Sequence, residues 1–85
     1  GGAKNLFSQL KSKDLEVNSP RSGDIVCWHR GGPKSWKGHV GIVYDLVGRM
    51  LIVIEGNKGK FPSKVRPYFY ELGSIKDLVG FARLA

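Results

Sequence analysis

The sequence predicts an α+β domain: a short N-terminal helix followed by a mainly antiparallel sheet of about four to six strands. Three observations predict it. Leu6, Phe7 and Leu10 form one apolar stripe at helical spacing, with Lys4 and Gln9 outside it. Downstream, short runs rich in Val, Ile and aromatic residues alternate with turns built from Gly, Pro, Asn, Asp and Ser. Two of those runs, 38–43 and 52–54, flank a single turn and read as a hairpin.

In chain order, residues 3–11 are expected as the helix. Asn18-Ser19-Pro20-Arg21-Ser22-Gly23 is a loop. Residues 24–30 form a strand that ends at Gly31-Gly32-Pro33, and a loop over 31–37 carries Trp36 into the hairpin. Residues 56–62 form a glycine- and lysine-containing loop. Residues 65–72 are a strand whose Pro67 marks an edge or a bulge, because proline cannot donate to a ladder. Residues 78–84 are a final strand. The whole is one domain or a fragment of one, with helix and linker over 1–19 and the sheet over 20–85.

The hairpin carries the chemistry. Asp45 and Gly48 suit the first and fourth positions of a type I turn within a three-residue loop. That turn pairs Asp45 with Arg49 and puts His39 directly opposite Glu55, where Cβ atoms stand about 4.5–5.5 Å apart. Asn57 falls on the same face two residues on. A two-residue Val47-Gly48 turn would instead put His39 opposite Gly56. A carboxylate or amide that accepts from one imidazole nitrogen fixes the tautomer and leaves the other nitrogen for proton transfer. His39, Glu55 and Asn57 are therefore the candidate catalytic residues. Each alone has an ordinary structural reading; their convergence is what points to a site. Trp36, just before His39 in a basic loop, is the candidate substrate-binding residue.

Cys27 is the sole cysteine of the chain. It lies in mid-strand, where neither a helix N-terminus nor a neighbouring imidazolium lowers its pKa, so it reads as a small buried apolar residue. Cys27, His29 and His39 do not make a persuasive metal set, and no cofactor is implied.

Eighty-five residues allow one modest core. The hydrophobic fraction of 41% and charged fraction of 25% are those of an ordinary globular domain. No apolar run approaches the ~20 residues of a membrane span. The net charge is +7, with basic stretches at Arg30, Lys34 and Lys37 and at Lys58, Lys60, Lys64 and Arg66. Such a surface suits a polyanion. Nucleic acid is the weaker option, because no aromatic residues interleave with the cations as a stacking platform. A non-catalytic basic β module that binds anionic wall polymer or nucleic acid is the alternative to an enzyme.

Gly23-Asp24-Ile25-Val26, then Trp36-Lys37-Gly38-His39-Val40-Gly41-Ile42-Val43, then Ile54-Glu55-Gly56-Asn57, resembles in order and spacing the C-terminal half of a CHAP-family domain. These are cysteine- and histidine-dependent amidohydrolases and peptidases of papain-like fold. The resemblance spans roughly residues 20–84. It implies the β half of that fold, cleavage of amide bonds in peptidoglycan, His39 as general base and Glu55 or Asn57 as third member. It also implies an extracellular or wall-associated location in a bacterial or phage-delivered parent. The family's nucleophile sits near the start of a helix in a Trp-Cys-Ala-like sequence, upstream of the Gly-Asp strand. No cysteine precedes Cys27 here. The chain is thus expected to be a fragment carrying the His and Glu/Asn without the nucleophile, or a degenerate member that binds without cutting. An exposed His39 face, bearing Val43, Leu51 and Val53, would then self-associate, receive the missing N-terminal half, or be covered by the N-terminal helix.

Overall fold

The computed structural model describes residues 2–12, 15–30, 38–56 and 65–84. Helix α1 (Gly2–Ser12) precedes strands β1 (Glu16–Val17), β2 (Ile25–His29), β3 (Gly38–Val47), β4 (Met50–Glu55), β5 (Arg66–Glu71) and β6 (Leu78–Ala82). The strands form one sheet in the order β1-β6-β2-β3-β4-β5, and each neighbouring pair is antiparallel. This is the α+β arrangement expected. Pro67 sits on β5, at the edge of the sheet, where its missing N–H costs no ladder bond on the open side. Strand β1 was not foreseen: its two residues, paired with Phe81 and Ala82, are too few to show a periodicity. No helix among the described residues is long and apolar enough to cross a membrane.

The two sheet faces bury different residues. One face carries Val26, Trp28, Val43, Leu51, Val53 and Phe81, with Leu72 and Ile75 of the β5–β6 connection packed on it. The other carries Ile25, Cys27 and Ala82 under Phe7 and Leu10 of α1. The helix can sit close because Gly80 has no side chain; a Cβ there would lie 2.7 Å from the Phe7 ring. Val43, Leu51 and Val53 are at most 1% exposed. Each such burial is worth about 1.5–3 kcal/mol. Two expectations are corrected here. α1 covers the face opposite His39, and the His39 face is not bare, because the sheet and its β5–β6 connection fill it. The physical ground for self-association through that face falls away.

The hairpin register also differs from the expected one. The turn is two residues, Gly48-Arg49, between the paired Val47 and Met50. Gly48 has φ 61°, the value that the first central position of a type II′ turn requires. Continued unbroken, that ladder would set Glu55 opposite Ile42 and turn it away from His39. A bulge between Val43 and Asp45 inserts one residue and restores the parity. Beyond it Val43 pairs with Val53 and Ile42 with Ile54, so the next step sets Gly41 opposite Glu55. His39 is therefore the diagonal neighbour of Glu55 on the same face, not its direct partner.

The Gly-Asp-Ile-Val segment has a structural task. The Gly23 N–H donates to the Val43 carbonyl and the Val43 N–H to the Asp24 carbonyl, each at 2.8 Å. The buried Asp24 carboxylate accepts from Arg83 Nε and Nη2 at 2.8 Å each and from the Arg21 N–H at 2.7 Å. Burial raises the Asp24 pKa, but the Arg83 hydrogen bonds, the Arg21 amide and the two guanidinium charges outweigh it and hold the carboxyl below its usual value. The start of β2 is thereby tied to β3 and to the end of β6.

Candidate functional site

His39 is the second residue of β3 and Glu55 the last residue of β4. His39 Nε2 lies 2.9 Å from Glu55 Oε1. The Glu55 side chain is fully buried and that of His39 is 12% exposed. A carboxylate accepts, so Nε2 carries the proton and Nδ1 is the nitrogen not committed to Glu55. The reach across the diagonal depends on Gly41. A Cβ there would stand 3.0 Å from Glu55 Cγ and 2.7 Å from Val53 Cγ1. With hydrogen in its place, the Glu55 side chain passes over the β3 backbone to the imidazole.

Tyr70 completes the arrangement, and sequence reasoning missed it. It faces Leu51 across the β4–β5 ladder, and its hydroxyl donates to Glu55 Oε2. The two carboxylate oxygens are thus held from opposite sides by His39 and Tyr70. The signal available was the alternation of Tyr68 and Tyr70 on an edge strand, but only the ladder register says which of them meets Glu55.

Trp28 is buried in the core and also walls the site. It faces His39 in the β2–β3 ladder. Its ring centroid lies 5.4 Å from that of His39 and 5.5 Å from that of Tyr70, tilted by 34° and 43°. Such tilted contacts fix ring orientation as well as burying area. A second bulge, between Cys27 and Trp28 on the β2–β6 side, twists the end of β2. Consecutive residues Trp28 and His29 then line one cleft of about 340 Å³ together with Arg30, His39, Glu55, Tyr70, Lys76 and Asp77.

Cys27 stands apart from this cleft. It is fully buried on the α1 face. Burial pushes its thiol pKa up, and the Lys4 charge offsets this only in part. Trp36 and Asn57 lie outside the described residues, as do Lys34, Lys37, Lys58, Lys60 and Lys64. No group of three or more His, Cys, Asp or Glu side chains among the described residues is placed to hold a metal ion.

The structure thus sets a strand-borne histidine, hydrogen-bonded to a buried carboxylate, in a cleft on an antiparallel sheet backed by a helix. Residues 1–57 match the CHAP domain family, and the chain belongs to that family. The family is one of peptidoglycan amidases and peptidases, with peptidoglycan as its substrate. The match takes in α1, which the sequence resemblance left out, and stops at Asn57. Tyr70 and the Lys76–Asp77 wall of the cleft therefore lie beyond the matched part. No curated protein and no solved structure matches the chain.

Proposed function

We propose that these residues form the base-bearing, C-terminal half of a cysteine amidase or endopeptidase that cleaves peptidoglycan amide bonds, with the nucleophile supplied from outside the 85 residues. The observation that carries this reading is the 2.9 Å contact between His39 Nε2 and Glu55 Oε1 at the wall of an open cleft. In this reading His39 is the general base and Glu55 its orienting partner. Cys27 is unsuited to attack, being buried on the other face with its thiol pKa raised.

The chemistry follows from one imidazole nitrogen. His39 Nδ1 takes the proton of an incoming thiol, and the thiolate adds to the amide carbonyl carbon. The tetrahedral adduct collapses, expelling the amine, which leaves with the proton held on Nδ1. Water then loses a proton to Nδ1, attacks the thioester and frees the carboxylic acid and the thiol. Glu55 keeps the ring in one tautomer and supports the imidazolium formed twice per turnover. In this reading the work is done outside the cytoplasm, at the cell wall.

The test compares two proteins on purified sacculi, with released amines and peptides followed by mass spectrometry. The 85-residue chain is expected to cleave nothing. A chain extended by an upstream cysteine-bearing segment is expected to cleave, and His39→Ala to slow it by about 10²–10⁴-fold. Cleavage by the 85 residues alone, lost in Cys27→Ser, would overturn the reading. A second reading, binding to anionic wall polymer without cutting, is favoured by the +7 charge. It requires the extended chain to retain sacculi without releasing amines.

A further inference from the structure

The cleft is lined by two chemically different sets of side chains. One is His39, Glu55 and Tyr70. The other is His29, Arg30, Lys76 and Asp77, and the mechanism above uses none of them. We propose that His29, Arg30 and Lys76 form a subsite for a free carboxylate of the bound peptide; the proposal rests on the reading of this cleft as the peptidoglycan site.

Three observations converge on it. The first is His29 Nδ1, a buried polar atom with no hydrogen-bond partner among the described residues. Buried polar atoms are nearly always paired, so one left open at a cleft wall asks for a ligand group or an ordered water. The second is how firmly the backbone that carries this imidazole is set. The His29 main-chain N–H donates to the Asp77 carbonyl at 2.8 Å. Asp77 takes φ 60°, the one positive value at a non-glycine position among the described residues. A residue held in that sparsely populated region is fixed by its surroundings, here the turn that brings Lys76 to the cleft.

The third is charge. Arg30 and Lys76 bring two cations to the cleft lining against the carboxylate of Asp77, and the Glu55 oxygens are already held by His39 and Tyr70. A guanidinium and an ammonium beside an open imidazole nitrogen that can carry a proton suit an anion with two acceptor oxygens. On a peptide, that is a carboxylate. A cleft of about 340 Å³ is large enough to hold such a group together with a neighbouring amide bond at His39.

The experiment is an NMR titration of the 85-residue chain with two synthetic wall-stem peptides, identical except that one ends in a free carboxylate and the other in a carboxamide. The acid is expected to bind about tenfold tighter, the scale of one net charge-assisted hydrogen bond, and to shift the amides of His29, Arg30 and Lys76. Arg30→Ala with Lys76→Ala should bring the acid down to the affinity of the amide. Lys11→Ala, which removes one charge from α1 on the opposite face, should leave the preference intact. Equal binding of acid and amide, with shifts confined to His39 and Glu55, overturns the subsite and leaves the cleft reading standing. A preference that survives the double substitution also overturns the subsite. No shift at His39 with either peptide overturns both.

Discussion

Gly41 stands opposite Glu55 in the β3–β4 ladder, and its missing Cβ is the space through which the Glu55 carboxylate reaches His39. The nearest groups to a Cβ at this position are Val53 Cγ1 at 2.7 Å, Glu55 Cγ at 3.0 Å and the Ile54 carbonyl at 3.1 Å. One of the three is backbone and cannot yield. The Val53 and Glu55 side chains are buried and have little room to move.

Gly41→Ala is therefore expected to destabilise the fold by about 1–3 kcal/mol, as overpacked cores do, and to pull Glu55 off the imidazole. A urea melt reads the first effect as a lower midpoint at unchanged slope. In the extended chain, turnover should fall about as far as in Glu55→Gln. An alanine variant with wild-type midpoint and rate would show that Gly41 is not what opens the path.

The Tyr70 hydroxyl is the second support of Glu55. Tyr70→Phe keeps the ring against Trp28 and removes one donor from a buried carboxylate. The expected cost is about 1–2 kcal/mol of stability, since a buried acceptor loses a partner that water cannot replace. If Tyr70 positions Glu55, the extended chain should lose kcat with KM little changed. A fall in stability with kcat intact would assign Tyr70 to packing alone.

How far the sequence disclosed this site depends on which contacts are local. The helix, strands β2 to β6 and the shared face of His39 and Glu55 were legible, because apolar spacing and strand alternation are properties of short windows. The register was not. The turn's residues suit Gly48 to the end of a three-residue loop, whereas it opens a two-residue turn. That change alone would have put His39 and Glu55 on opposite faces. The bulge between Val43 and Asp45 reverses it, and a bulge is a property of how two strands pair rather than of one short window. The two deviations together shift the ladder by two residues, an even number, so the facing survived while the direct pairing did not. Tyr70 and the unpaired His29 nitrogen depend on contacts between segments far apart in the chain, which periodicity does not encode.

Cys27 should behave as an interior side chain. With its pKa raised by burial, it is expected to resist a thiol-specific probe in the native state. Labelling should become rapid only across the denaturation midpoint, because access then requires unfolding. In the extended chain, Cys27→Ala should leave turnover unchanged apart from any loss of stability. Fast labelling of the native chain, slowed by a peptidoglycan peptide, would place Cys27 in the cleft and contradict the structure.

The Asp24–Arg83 pair gives the fold a defined response to acid. The Asp24 pKa is lowered in the folded state from its ordinary value of 3.8. A carboxylate more acidic in the folded than in the unfolded chain contributes stability that is fully present above the unfolded pKa. That stability is lost as pH falls through the folded one. The urea midpoint should therefore be insensitive to this group above about pH 5 and decline below the unfolded value of 3.8. Asp24→Asn keeps the size but loses the charge that holds both guanidinium bonds, at a cost of about 2–3 kcal/mol at neutral pH. The variant's deficit should shrink as the pH is lowered, because protonation does to the wild-type carboxylate what the substitution has already done. A deficit that stays constant from pH 7 to pH 2 would mean that the charge of Asp24 contributes nothing to stability, and that the pair holds β2 to β6 by shape alone.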